Sequence, residues 1–82
     1  MSRALIPLNR MKTGQSGMVT QILGGPGLIR RLEALGILPG RKITKVSSMV
    51  FHGPVMIKTG QTQVALGFGM SRRVIVEVDV KE

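Results

Sequence analysis

Residues 32–40 read LEALGILPG, from Leu32 to Gly40. A helix-like run stops at Gly36, two large apolar residues follow, and Pro39-Gly40 turns the chain again. Gly36 suits the left-handed C′ position of a helix, which costs glycine little. Ile37 is then C″ and Leu32 is C3, the apolar pair that meets in a Schellman cap. Pro39-Gly40 fits the centre of a type II turn, with proline fixing one φ and glycine accepting a positive one. A helix-turn-helix needs a second helix after such a break. Here RKITKV follows instead, a β-rich run. The stretch therefore carries the chain from a helix into a strand.

Upstream, the spacing predicts a helix over residues 26–35. Leu28, Ile29, Leu32 and Leu35 make one apolar stripe, with Arg30, Arg31 and Glu33 off it. Pro26 suits the first helical position, where an N–H would be unpaired anyway. A helix this short is marginal alone and must pack on a sheet. Before it, GMVTQIL over residues 17–23 reads as a strand, broken by Gly24-Gly25-Pro26-Gly27.

Downstream, residues 41–51 read as a long strand whose alternation slips. Ile43 is out of phase with Val46 and Val50 but in phase with Met49 and Phe51, so a bulge or sharp bend is expected. VMIKT-GQ-TQVAL then has the two-residue, glycine-first loop of a type II′ hairpin. Pairing outward from it sets Thr59 opposite Thr62, Ile57 opposite Val64 and Val55 opposite Leu66. Lys58 and Gln63 then share the other face. GFGMSRR over residues 67–73 reads as a connector with one 3₁₀ turn. Val74, Val76, Val78 and Val80 alternate inward along a last strand, with Glu77 and Asp79 outward. The expected fold is mostly β: a small SH3-like barrel of about five strands, with one short helix inserted after the first. Residues 1–82 are read as a single domain.

Composition limits the chemistry. A chain of 82 residues buries only roughly 60–65% of its unfolded surface, so the core must be tight. There is no cysteine, hence no disulfide and no thiolate metal site. Residues 4–8 are apolar but broken by Pro7, too short for a signal-peptide core. No stretch is long and apolar enough to span a bilayer. The expected location is the cytoplasm, with peripheral attachment at the inner membrane face left open. Twelve Lys and Arg against four Asp and Glu give a net charge of +8. That excess favours anionic partners. Phe51 and Phe68 are the only aromatic residues, which disfavours base-stacking recognition of single strands.

No catalytic constellation emerges. His52 lies beside Gly53-Pro54 in an apparent turn, with no orienting carboxylate near in sequence. Glu77 and Asp79 share an outer face, and a hard cation wants more oxygens than two carboxylates offer. The six methionines show no metal-binding repeat and read as core filler or adaptable contact surface. GGPG before the helix lacks both the Lys-Ser/Thr of a P-loop and full GxGxxG spacing. Arg30, Arg31, Arg41, Lys42, Lys45, Arg72 and Arg73 could meet in one basic patch.

The pattern RLEALGILPGRKITKV (residues 31–46), the Gly53-Pro54 pair, and VALGFGMSRRVIVEV (residues 64–78) resemble the FeoA family. These are small SH3-like cytoplasmic proteins of bacterial ferrous iron uptake. The module also resembles the C-terminal domain of some iron-dependent repressors. The resemblance covers about residues 5–80. The family motif falls on Leu32, Leu35, Gly36, Pro39, Gly40, Pro54 and Leu66, which look mainly architectural. Two departures stand out. Gly53 replaces an Asp common in relatives, and Gly67, Gly69 and Met70 replace a more helical, charged segment.

The resemblance implies association with FeoB, a membrane Fe(II) transporter with a cytoplasmic GTPase domain. The expectation is a non-enzymatic accessory protein that docks on the cytoplasmic region of the transporter and regulates it. Leu38, Met49, Phe51, His52, Arg30 and Arg31 are the partner-binding candidates. No catalytic, cofactor-binding or metal-ligating residue is assigned and no cofactor is expected. Transition-metal binding enters only as a label of the family. An anionic membrane surface and weak self-association are further partners to consider; nucleic acid is disfavoured. The alternatives are a basic nucleic-acid-binding small barrel, or a repressor-type SH3-like module that binds peptides.

Overall fold

A computed structural model describes residues 2–48 and 53–80. Six strands form one antiparallel sheet in the order β1-β6-β2-β3-β4-β5. They are β1 Ser2–Pro7, β2 Ser16–Ile22, β3 Lys42–Ser48, β4 Val55–Thr59, β5 Thr62–Leu66 and β6 Val74–Val80. A 3₁₀ turn, Leu8–Arg10, follows β1; helix α1, Pro26–Ala34, lies between β2 and β3; one turn of helix, α2, Phe68–Ser71, joins β5 to β6. The expected SH3-like barrel is the fold, with one strand more than the sequence suggested and with the long helix after the second strand.

The added strand is β1, which pairs with β6 from Ser2↔Val80 to Pro7↔Ile75. Its inward residues Ala4 and Ile6 are only half-buried, and Leu5 faces out. Pro7 closes it, a residue that sheets tolerate at an edge.

The LEALGILPG stretch behaves as its chemistry dictates. Gly36 takes φ +88. Its N–H donates to the Glu33 carbonyl at 2.9 Å and the Ile37 N–H donates to the Leu32 carbonyl at 2.9 Å. That is the bond pair of a Schellman cap. Leu32 and Ile37 are both fully buried. The helix stripe narrows toward its end: Leu32 is enclosed, but Leu35 is 37% exposed. Gly40 takes φ +90, and the Arg41 N–H closes the turn on the Leu38 carbonyl at 3.1 Å. This turn is sewn to β2, because the Gly40 N–H donates to Val19 O at 2.8 Å and the Val19 N–H to Arg41 O at 2.9 Å.

The hairpin register is the expected one, Thr59↔Thr62, Ile57↔Val64 and Val55↔Leu66. Gly60 at its tip has φ +63, as a primed turn requires at its first central position. The slip in β3 is a bulge between Lys45 and Ser47, which leaves Val46 out of the ladder with β4.

Three local expectations change. Residues 68–71 form a turn of α-helix rather than 3₁₀, since Ser71 and Arg72 donate back four residues to Gly67 and Phe68. Gly69 has not prevented a helical turn over Phe68–Ser71. Val80 does not continue the buried series of Val74, Val76 and Val78; it is 38% exposed, because β6 has run past the core by then. Lys45 is not on the surface. Its position, two after Ile43, points inward, and the residue is 5% exposed. Its Nζ donates to the Met11 carbonyl at 2.6 Å and the Asn9 carbonyl at 3.3 Å. Main-chain bonds from Gly14 N–H to Lys45 O and from Lys45 N–H to Gln15 O complete a clamp on the segment between β1 and β2.

The core is aliphatic: Leu8, Met11, Val19, Leu32, Ile37, Ile43, Val55, Ile57, Leu66, Val74, Val76 and Val78. Gly17 marks where β2 closes on β6. A Cβ there would lie 2.4 Å from Val76 Cγ1, 2.8 Å from the Glu77 carbonyl oxygen and 2.8 Å from Val78 Cγ1. No described helix is long and apolar enough to cross a membrane.

Candidate partner-binding surface

The register fixes what the sheet shows to solvent. One outer row runs Leu5, Glu77, Met18, Lys42 across β1, β6, β2 and β3. A second runs Ser16, Thr44, Lys58, Gln63 across β2 to β5. Side chains in such rows are neighbours, so charge is distributed strand by strand.

At the β1–β6 end, opposite charges meet. Arg3 lies 3.0 Å from Glu77 and 3.6 Å from Asp79. These contacts are largely exposed, so they balance charge more than they add stability. At the other end, Arg41, Lys42, Thr44, Lys58 and Gly60 line an open groove of about 380 Å³. None of its three cations has an ion pair or side-chain hydrogen bond among the described residues. Thr44 Oγ1 lies 2.6 Å from Ser16 Oγ and so is held by β2. Gly60 contributes no side chain, which keeps the groove open at the hairpin tip.

The expected contact residues fall in different places. Leu38 is half-buried in the ILPG turn. Arg30 and Arg31 are exposed on α1, where the Arg30 Nε donates to the Pro26 carbonyl at 3.4 Å. Neither lines the groove with Arg41 and Lys42. Met49, Phe51 and His52 lie outside the described residues. Of the motif residues, Leu66 is buried in the core and Pro54 is exposed before β4. The sequence reading missed Lys58 as a member of the basic site, although the hairpin register already turned it outward. It also missed Leu5 and Met18, which are 63% and 43% exposed in the first outer row. Among the described residues no group of three or more His, Cys, Asp or Glu could hold a metal ion.

This geometry defines a small SH3-like β module with a basic outer face. The chain belongs to the FeoA family, for the family model described as the FeoA domain matches residues 6–78. Members of that family are accessory proteins of ferrous iron transport. The chain is 33% identical over 73 residues to a Methanocaldococcus jannaschii protein named "Putative Fe(2+) transport protein A", covering 89% of this chain and 87% of that one. It is 37% identical to the crystal structure of an iron uptake regulatory protein, FeoA, with a TM-score of 0.81 over 89% of this chain and 95% of that one. It superposes on Stenotrophomonas maltophilia FeoA complexed with zinc, at 26% identity and a TM-score of 0.72, over 84% and 86% of the two chains. A manganese-dependent transcriptional repressor shares the fold, with a TM-score of 0.83 at 20% identity over 98% of this chain and 44% of that one.

Proposed function

We propose that this protein is a non-enzymatic adaptor of ferrous iron uptake that docks on the cytoplasmic region of a FeoB-type Fe(II) transporter and biases its working state. The observation that carries the reading is a cationic outer groove, unneutralised among the described residues, on a FeoA-family barrel. Such a surface attracts an anionic partner and steers its approach. The protein then works in the cytoplasm, close to the inner membrane face. Each Lys or Arg near anionic lipid adds roughly 1 kcal/mol of attraction there.

Calorimetric titration of the purified protein against the transporter's soluble cytoplasmic region tests this. Binding at low salt should weaken as ionic strength rises, because exposed charges are screened beyond about 10 Å at 0.1 M salt. No binding at low salt would refute docking. Equal binding at both salts would refute its electrostatic part.

A further inference from the structure

The two edges of the sheet are β1 and β5, and they are protected differently. β1 carries Arg3 and ends at Pro7, and charge and proline both discourage a further strand from pairing. β5 is TQVAL: it has no charged residue, no proline and no register shift against β4. It pairs only with β4 among the described residues. Beside it on the outer face stand Lys58, directly opposite Gln63, and then Thr44, Lys42 and Arg41.

We infer that the free edge of β5 and the basic face beside it take an extended acidic segment of a partner chain, added to the sheet as a further strand. The inference rests on the adaptor reading and names the chemistry of its partner. An edge strand supplies main-chain hydrogen bonds to any extended peptide, and side-chain neighbours then choose the sequence. The added strand lies about 4.8 Å from β5, hence roughly 10 Å from β4. A Glu on it and Lys58 on β4 span that gap together, passing over Ala65 and Gln63. At the hairpin tip, Gly60-Gln61, the groove is bordered by Gly60, which has no side chain, so a segment running past that end of β5 meets Arg41 and Lys42. A second copy of this chain is a poor occupant, for it brings its own Lys58 and a net charge of +8 to the same edge. A lipid surface suits the cations but offers no strand to β5.

The test is an NMR titration of the ¹⁵N-labelled full chain with three probes. These are a short alternating Glu-Val peptide, its Lys-Val counterpart, and phosphatidylserine–phosphatidylcholine vesicles. The Glu-Val peptide should shift the amides of Thr62–Leu66 and slow solvent exchange of those facing away from β4. Lys42→Glu/Lys58→Glu should weaken that binding about tenfold or more. Arg30→Glu/Arg31→Glu, with the same change in net charge, should leave it within about twofold. Spectra of both variants without peptide check that each is folded. Three results would overturn the inference: no shift at β5, equal losses in both double variants, or binding to vesicles without binding to the peptide. The transporter's cytoplasmic region then separates this idea from the adaptor reading. If it binds wild type and Lys42→Glu/Lys58→Glu alike, the acidic-strand idea fails and docking stands. If it binds neither while the peptide still adds to β5, docking on that partner fails and strand addition stands.

Discussion

Gly17→Ala tests the closest approach in the barrel. The new methyl carbon would sit 2.4 Å from Val76 Cγ1 and 2.8 Å from both Val78 Cγ1 and the Glu77 carbonyl oxygen. Ordinary contacts between carbon atoms begin near 3.5 Å, so the Val78 methyl would have to give by about 0.7 Å and the Val76 methyl by about 1.1 Å, and the carbonyl oxygen would have to give as well. They cannot do so independently. Val76 is fully buried and Val78 nearly so, and a valine has little rotamer freedom to spend. Glu77 is fixed from both sides, opposite Leu5 on β1 and Met18 on β2. Moving its carbonyl disturbs two ladders together. Overpacking of this kind costs about 1–3 kcal/mol, and the backbone contact favours the upper part of that range. A domain of 82 residues has a total stability of roughly 4–12 kcal/mol. The melting temperature should therefore fall by roughly 10–20 °C. The control has the opposite sign. Gly27 lies in the first turn of α1 with nothing within 4 Å of its Cβ position, so Gly27→Ala should stabilise by about 0.5–1 kcal/mol. Thermal and urea denaturation followed by circular dichroism read both. A Gly17→Ala protein within about 0.5 kcal/mol of wild type would refute the tight closure of β2 on β6.

Three further outcomes are expected. Gly36→Ala forces a methyl-bearing residue to φ +88 at the helix cap and should cost about 1–2 kcal/mol in urea denaturation; an unchanged midpoint would mean the cap is not left-handed. Lys45→Met keeps the apolar stem but withdraws the donor from the Met11 and Asn9 carbonyls. It should cost about 1–3 kcal/mol, with faster amide exchange in residues 9–15; unchanged exchange there would remove the clamp. Arg3→Ala breaks contacts whose arginine side chain is 70% exposed, so it should cost no more than about 1 kcal/mol, and less at high salt. A larger, salt-independent loss would show that Arg3 packs β1 rather than balancing charge.

The parts of this fold that could be read from the sequence are those set by local backbone chemistry. Gly36, Pro39-Gly40 and Gly60 each impose a conformation few other residues adopt, and the cap, the turn and the hairpin register followed from them. The phase slip after Ile43 likewise announced the bulge. β1 was harder because its signal is divided: Ala4 and Ile6 bury little, Leu5 is exposed, and Pro7 reads as a breaker. It exists through six cross-strand pairs with β6, a partner about seventy residues away. Lys45 was misplaced because a lysine is expected at the surface, whereas the period from Ile43 turned it inward. The basic site needed tertiary information. Lys42 and Lys58 are brought together by the pairing of β3 with β4, while Arg30 and Arg31, which precede Arg41 in the sequence, remain on α1.

Net charge is therefore a poor guide to what a partner meets. Cations on this chain have different fates under one formula of +8. Lys45 is spent inside, on carbonyls of a neighbouring segment. Arg3 faces Glu77 and Asp79, two of the four carboxylates in the sequence. Arg73 donates to the Leu23 carbonyl at 3.4 Å, beside a main-chain bond from Leu23 N–H to Arg73 O. Glu77, Asp79 and the structural carbonyls thus engage cations away from the β3–β4 groove, and among the described residues the groove cations have no ion-pair partner. An approaching acidic group gains most where no internal partner must be displaced, and desolvation costs least at an open surface. On the docking proposed above, salt dependence should track the few charges at Arg41, Lys42 and Lys58. Charge removed elsewhere on the barrel should alter solubility more than affinity.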